Sequence, residues 1–324
     1  PEEARDSFGE DPFEVKNILK YWVFSEKPEF HVIPTDTINI HIDKDALLRS
    51  GIMLPKTIRH LKGEDLKDAI PDKLYIPLTD IRMLTKVDLL MLEMLANCNW
   101  ERPLYLAISV GSVSKLKFDN YFVQEGLAFR FTPFDYKKWG DADENRPYAV
   151  DVERLYDNVM NRYKYGGLNT PGLYLDETTL RTCWYHRRLF AQLAKELIIQ
   201  GDPARAKKVL AYAEQAVPGY NVPETYESGS YSIATAYAAL GEKMKAITLT
   251  EHLIAEAEDY INWAFSLKGN RMEMVRNDCI YKFWQWNQCN ELLKKVDEES
   301  YKESNRRFEA VSYTHLTLPT KLEV

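Results

Sequence analysis

Along the first third of the chain, apolar and polar positions alternate in short stretches. "TINIHI" (37–42) puts Ile38, Ile40 and Ile42 on one side of a strand. Asp43 then opens a short helix through Leu48, and a loop-rich stretch with Pro55, Gly63 and Pro71 leads to a second strand at 74–78. Thr85 suits a helix N-cap, because its hydroxyl accepts a first-turn N–H. Asp88 stands at the capping-box position, where Glu or Gln is usual. Leu84 and Leu89 have the spacing of a hydrophobic staple. Behind this cap Val87, Leu89, Leu90, Met91, Leu92, Met94 and Leu95 leave almost no polar face, so the helix is expected to be buried on most sides. Residues 104–110 form a nearly continuous apolar strand, the pattern of a sheet interior. Strand, helix and strand of these lengths predict a βαβ unit with parallel pairing. A helix-like piece at 121–125 and an alternating strand at 127–131 complete an α/β layer over residues 1–140.

A polar connector follows at 141–150, and beyond it the period changes from two to 3.6. Val152, Leu155, Tyr156, Val159, Met160 and Tyr163 share one helical face, which Gly166 and Gly167 terminate. Asp176 caps a long helix reaching Gln200. Two segments then repeat one another. Ala194 and Ala206 stand seven before and five after Gly201, and Ala234 and Ala246 stand at the same offsets from Gly241. That is the spacing of a tetratricopeptide helix pair, in which small residues allow close helix approach and glycine makes the turn. The glycines are 40 apart rather than the usual ~34, and an insertion at 219–227 absorbs the difference. Such pairs bury their apolar faces by stacking, with the 152–163 helix and the aromatic region 281–286 as caps. The expected fold is an α/β N-terminal layer (1–140) followed by an all-α tetratricopeptide-like helical repeat region (151–310). "VSYTHLTLPT" (311–320) has strand-like alternation but resembles the translated read-through of a sequencing adapter, so 311–324 is set aside as a non-native tail.

Composition narrows the function classes. The net charge of −7 does not favour nucleic acid or an anionic membrane. Cys98, Cys183, Cys279 and Cys289 form no CxxC pair, and scattered thiols of this kind are small buried hydrophobes. No apolar run approaches the ~20 residues that cross a bilayer. The chain opens at Pro1 with no signal-peptide pattern and reads as part of something longer. Phosphate-loop, dinucleotide and zinc-protease motifs are absent. His31, His41, His60, His186 and His252 are too dispersed for a metal site, and no cofactor is expected. Asp141 and Asp143 form a DxD that could share a hard cation, but their setting reads as a solvated linker. Trp184, Tyr185, His186, Arg187 and Arg188 join aromatics to cations; the expected arrangement has Trp184 inward and both arginines solvated. The concave side of the repeats, near Tyr185, Arg188 and Tyr237, is the place expected to hold a ligand. Trp100, Arg102 and Pro103 are expected to form a rigid helix-to-strand corner. There Pro103 starts the strand, Trp100 rolls over the helix end, and Arg102 caps its carbonyls or pairs with the neighbours of Glu101.

Five segments also carry a resemblance: "VIPTDTINIHIDKDALLRSGI" (32–52), "MLANCNWERPLYLAISVGS" (94–112), "YFVQEGLAFRFTP" (121–133), "YDNVMNRYKYGGL" (156–168) and "YLDETTLR" (174–181). In this order they resemble the region after the membrane part of the glycosyltransferase 117 family, bacterial proteins similar to protein O-mannosyltransferases. The resemblance covers roughly residues 15 to 265. It implies a periplasmic region held at the inner membrane by upstream spans, with donor site and catalytic carboxylate in the membrane half. No catalytic residue carries over to this chain. The implied role is binding of an acceptor protein or assembly partner through the repeats, or bracing of the protein's own membrane domain. The alternatives are a free-standing repeat scaffold and an autonomous enzyme built on the acidic connector or the Trp184 cluster.

Overall fold

A computed structural model describes residues 10–28, 31–110, 116–144, 146–268 and 270–316. Gly111 and Ser112 of the quoted corner segment, and the tail after Leu316, lie outside these residues. The chain divides into two compact units, Pro1–Leu155 and Tyr156–Val324.

The first unit begins with a short helix α1 (Val15–Ile18), continued by a π turn, Leu19–Val23. Strand β1 (Thr37–His41) buries Ile38 and Ile40, with Ile42 just beyond its end. Helix α2 (Lys44–Arg49) starts where the Asp43 carboxylate accepts the Ala46 N–H at 2.9 Å, as its cap position predicts. Helix α3 (Gly63–Ala69) and strand β2 (Lys73–Pro77) follow. β1 and β2 pair antiparallel, with Ile38 opposite Ile76 and Ile40 opposite Leu74, so both apolar sets point into one core. The Thr85–Asp88 capping box forms and opens helix α4 (Lys86–Asn97).

Three expectations for the helices and strands of this unit are overturned. Strand β3 (Tyr105–Ala107) does not join β2 in a βαβ unit. It is the edge of a second sheet ordered β3-β5-β4-β6, with β4 at Phe122–Gln124, β5 at Ala128–Phe131 and β6 at Ala149–Val150, antiparallel except between β4 and β6. β2 already pairs with β1, so α4 connects two sheets instead of crossing over within one. Residues 121–125 are not helical: a 3-10 turn ends at Tyr121, and strand β4 (Phe122–Gln124) begins there. Its partner β5 (Ala128–Phe131) forms where the alternation predicts it, and β6 (Ala149–Val150) closes the sheet. Third, α4 is not buried on most sides. Asp88, Leu92, Leu95 and Ala96 face the core, while Val87, Leu90 and Met94 are exposed on the opposite stripe. A core on one side accepts only one stripe of a helix, however apolar the rest.

Helix α5 (Val152–Asp157) and a π turn, Asn158–Arg162, replace the single helix expected over 152–163. The second unit is helical among its described residues. The Asp176 carboxylate caps helix α6 (Glu177–Ile199) by accepting the Thr178 and Thr179 N–H groups. Asp202 caps α7 (Pro203–Ala216), which has proline in its first turn. Helices α8 (Ser230–Ala239), α9 (Lys243–Ser266), α10 (Asn270–Val296) and α11 (Glu298–Leu316) follow. α6 packs on α7 and α8, α8 on α9, α9 on α10, and α10 on α11. The 281–286 region is therefore not the end of the helical stack, because α11 packs on α10 beyond it. Trp286 is fully buried, donates its indole N–H to Ser304 Oγ at 2.9 Å and meets the Phe308 ring edge-on. α11 runs without a break through Val311, which is half-buried against this core, so 311–316 is helix and not the strand its alternation suggests.

Candidate functional site

Among the described residues, polar side chains gather at a groove and a charge cluster in the first unit, at one segment of the second, and around Asp141. The first is a groove of about 690 Å³ between the end of β1, the start of α2 and the end of α4. Trp100 forms part of its wall. The backbone turns sharply here, with Asn99 at φ 48° and Trp100 at φ 60°. Left-handed backbone is strained for a bulky residue, so the surroundings must hold it. They do: Trp100 is buried, stacks on Phe131 with ring centroids 6.4 Å apart, and donates its indole N–H to the His41 carbonyl at 2.7 Å. These contacts hold Trp100 in place, and two details of the expected corner differ. Arg102 is exposed and caps nothing among the described residues, while Glu101 pairs with Arg49 at 3.5 Å. Pro103 lies two residues before β3, because the strand starts only where β5 offers partners. Charges around the groove largely cancel: Lys44 pairs with Asp72 and Lys67 with Asp45, each at 2.7 Å.

The second place is a buried charge cluster that the sequence reading did not single out. Glu125 and Arg130 are both almost fully buried. Glu125 accepts from Arg154 at 3.0 Å and from the Tyr105 hydroxyl at 2.8 Å, and lies 3.7 Å from Arg130. Arg130 also donates to the Ser50 carbonyl and hydroxyl, and Arg154 to the Gly51 carbonyl. The network ties the end of α2 to the second sheet. Its groups satisfy one another, which suits a clamp better than a reactive centre. The available signal was Arg130 itself, a charge placed between two phenylalanines of a strand.

The third place is the 184–188 segment of α6, where the expectation of solvated arginines fails. Arg187 is 3 % exposed and donates to the carbonyls of Pro223, Val217 and Val222 and to Ser228 Oγ, at 2.5–3.1 Å. Burial lowers its pKa to about 10, so it stays charged at neutral pH. One guanidinium therefore anchors the whole insertion before α8. Arg188 donates to the Glu227 carbonyl and lies over the Tyr185 ring at 5.8 Å. Tyr237 does not join them. It is buried near the far end of α8 and donates to Glu214 at 2.5 Å, with Lys245 over its ring. The expected trio thus reduces to Tyr185 and Arg188.

Next to Arg188 the structure adds groups that were not foreseen as a site. Glu227 accepts from Gln285 at 2.6 Å and from Lys282 at 3.3 Å, and Lys282 also reaches Glu256 at 2.7 Å. Burial alone would raise the Glu227 carboxyl, but the Gln285 amide and Lys282 outweigh it and hold the group ionised. Tyr226 meets Trp284 edge-on at 5.5 Å, and Trp284 stacks with Tyr281 at 5.4 Å.

The acidic connector is not a solvated linker either. Asp141 is buried and accepts the Lys56 N–H at 2.9 Å and the Arg59 guanidinium at 3.1 Å. Among the described residues, no group of three His, Cys, Asp or Glu side chains is placed to hold a metal ion. His186 lies among Tyr163 and Tyr165, and burial lowers its pKa.

Neither a curated protein nor a solved structure matches the chain. Residues 4–152 are similar to the family described as TMEM260-associated domain 2, a match that ends within three residues of the first unit's boundary.

Proposed function

We propose that this chain is the extracytoplasmic part of a membrane glycosyltransferase with a lipid-linked sugar donor. In this reading it binds an acceptor protein or assembly partner and leaves bond-making to a membrane-embedded portion. The five-segment resemblance supports the setting.

The observation that carries the binding role is the repetition in the second unit. Gly201 and Gly241 have φ of 78° and 74°. Each donates to the carbonyl three residues back, and the residue after each donates to the carbonyl five back. Ala194, Ala206, Ala234 and Ala246 are all buried at the helix contacts. Two turns of one design, flanked by small residues at equal offsets, support the reading of α6–α7 and α8–α9 as tetratricopeptide-like pairs. Stacked pairs expose a continuous face made by their first helices, the surface such repeats use for binding.

The test adds the isolated chain in excess to membranes that carry the intact transferase, and follows sugar transfer to protein acceptor. Competition for acceptor should reduce transfer, while the chain alone transfers nothing. Sugar transfer by the chain alone, or undiminished transfer in its presence, would overturn the reading.

A further inference from the structure

We infer that the first unit holds a membrane phospholipid, with an alkyl chain in an apolar pocket and a zwitterionic phosphoethanolamine head between Arg82 and Asp36. The pocket has a volume of about 530 Å³ and lies where the π turn after α1, the approach to β1 and the loop from β2 to α4 come together. Nothing about it depends on the binding role proposed above. Val23, Ile33, Leu78, Ile81, Leu84 and Leu89 build its wall, all of them aliphatic. No Phe, Tyr or Trp lines it among the described residues, so a sugar ring or a nucleobase finds nothing to stack on. A hydrocarbon chain needs only close contact and release from water, which such a wall supplies. At the mouth Met83 is 69 % exposed and Val32 53 %. Beyond Met83, Val87, Leu90 and Met94 carry exposed apolar surface along one stripe of α4. The acyl region of a bilayer can cover that stripe while one chain enters the pocket.

The polar groups of the lining select the head. Two of the four are engaged locally. His31 Nε2 lies 2.7 Å from the Ser25 carbonyl. The Thr35 hydroxyl donates to the Thr37 carbonyl at 3.0 Å and accepts the Thr37 N–H at 3.3 Å. Arg82 and Asp36 remain. Both are exposed, and among the described residues neither side chain makes an ion pair or a hydrogen bond, with the other or with any third group. Opposite charges that share one pocket without neutralising each other suit a head that carries both. The forked guanidinium of Arg82 takes the phosphate, and the Asp36 carboxylate takes the ammonium. The net charge of −7 disfavours an anionic membrane surface, which again selects a head without net charge.

The probe is octyl phosphoethanolamine, titrated as monomer into the 324-residue chain by calorimetry. Octyl phosphate and octylamine, each with half of the head, should bind at least tenfold more weakly. Octyl glucoside and leucine, which lack the charges or the chain, should not bind. The decyl homologue should bind about fifteenfold more tightly than the octyl compound, the gain expected for two buried methylenes. Arg82→Gln should weaken both phosphate compounds. Asp36→Asn should weaken octyl phosphoethanolamine to the level of octyl phosphate and leave octyl phosphate itself unchanged. Arg102→Gln, exposed in the same unit but outside the pocket, should change nothing. Far-ultraviolet circular dichroism checks that each variant folds. The chain should also sediment with phosphatidylethanolamine vesicles, and Arg82→Gln should reduce that. Absence of binding, equal binding of octyl phosphate or leucine, no gain with chain length, or full binding by Arg82→Gln would overturn the site. Binding of the monomers without sedimentation on vesicles would overturn its membrane source.

Discussion

Trp100 shows how much one side chain can hold in place. Its strained backbone is retained by a buried ring contact and one indole hydrogen bond to β1. Trp100→Ala should cost about 3–5 kcal/mol, the range for a buried aromatic truncation, seen as a lower urea midpoint; an unchanged midpoint would show that the corner holds itself. His186 makes a different prediction. Burial lowers its pKa in the folded state, so the unfolded chain binds the proton more readily below its ordinary value of ~6.5. Stability is then fully present above that pH and is lost as pH falls through it. Denaturation of wild type and His186→Leu at pH 7.5 and 5.5 should show the smaller loss in the variant. These two residues were legible to different degrees. Trp100 was recognisable because proline follows it at a helix end, whereas Arg187 was misjudged. Nothing local in "WYHRR" tells which arginine faces an insertion thirty residues downstream.

The helices carry a close approach that rests on a missing side chain. Gly229, at φ 94°, precedes α8, and a Cβ there would lie 2.8 Å from Arg188 Cγ and 3.3 Å from the Arg188 Cα of α6. Gly229→Ala should therefore cost about 2–4 kcal/mol, combining left-handed strain with overpacking. Thermal melts read this directly, and a loss below 1 kcal/mol would mean that α8 can slide away. Elements with strong local signals were readable in sequence: the caps at Asp43, Thr85 and Asp176 all form. Pairings were not. Strand pattern fixes which face is buried but not which strand lies alongside, so β2 and β3 were assigned to one sheet. The exposed Val87, Leu90 and Met94 of α4 escaped notice for a related reason: apolar periodicity reports what can be buried, not how many sides have a neighbour.

Each unit has an apolar core of its own, one built from residues between Val15 and Ala149 and another around Ile254, Ile261 and Trp286. Unfolding should therefore not be all-or-none. Calorimetry should give a van't Hoff enthalpy below the calorimetric enthalpy, and equality of the two would mean that the units melt as one. The apolar period changes near residue 150, and the chain divides into its two compact units after Leu155. The bond from the Trp286 indole to Ser304, backed by the edge of Phe308, bears on any shortened version of the chain. A stop placed ahead of Phe308 would lay the largest sealed side chain open to water and turn a quiet surface into an adhesive one.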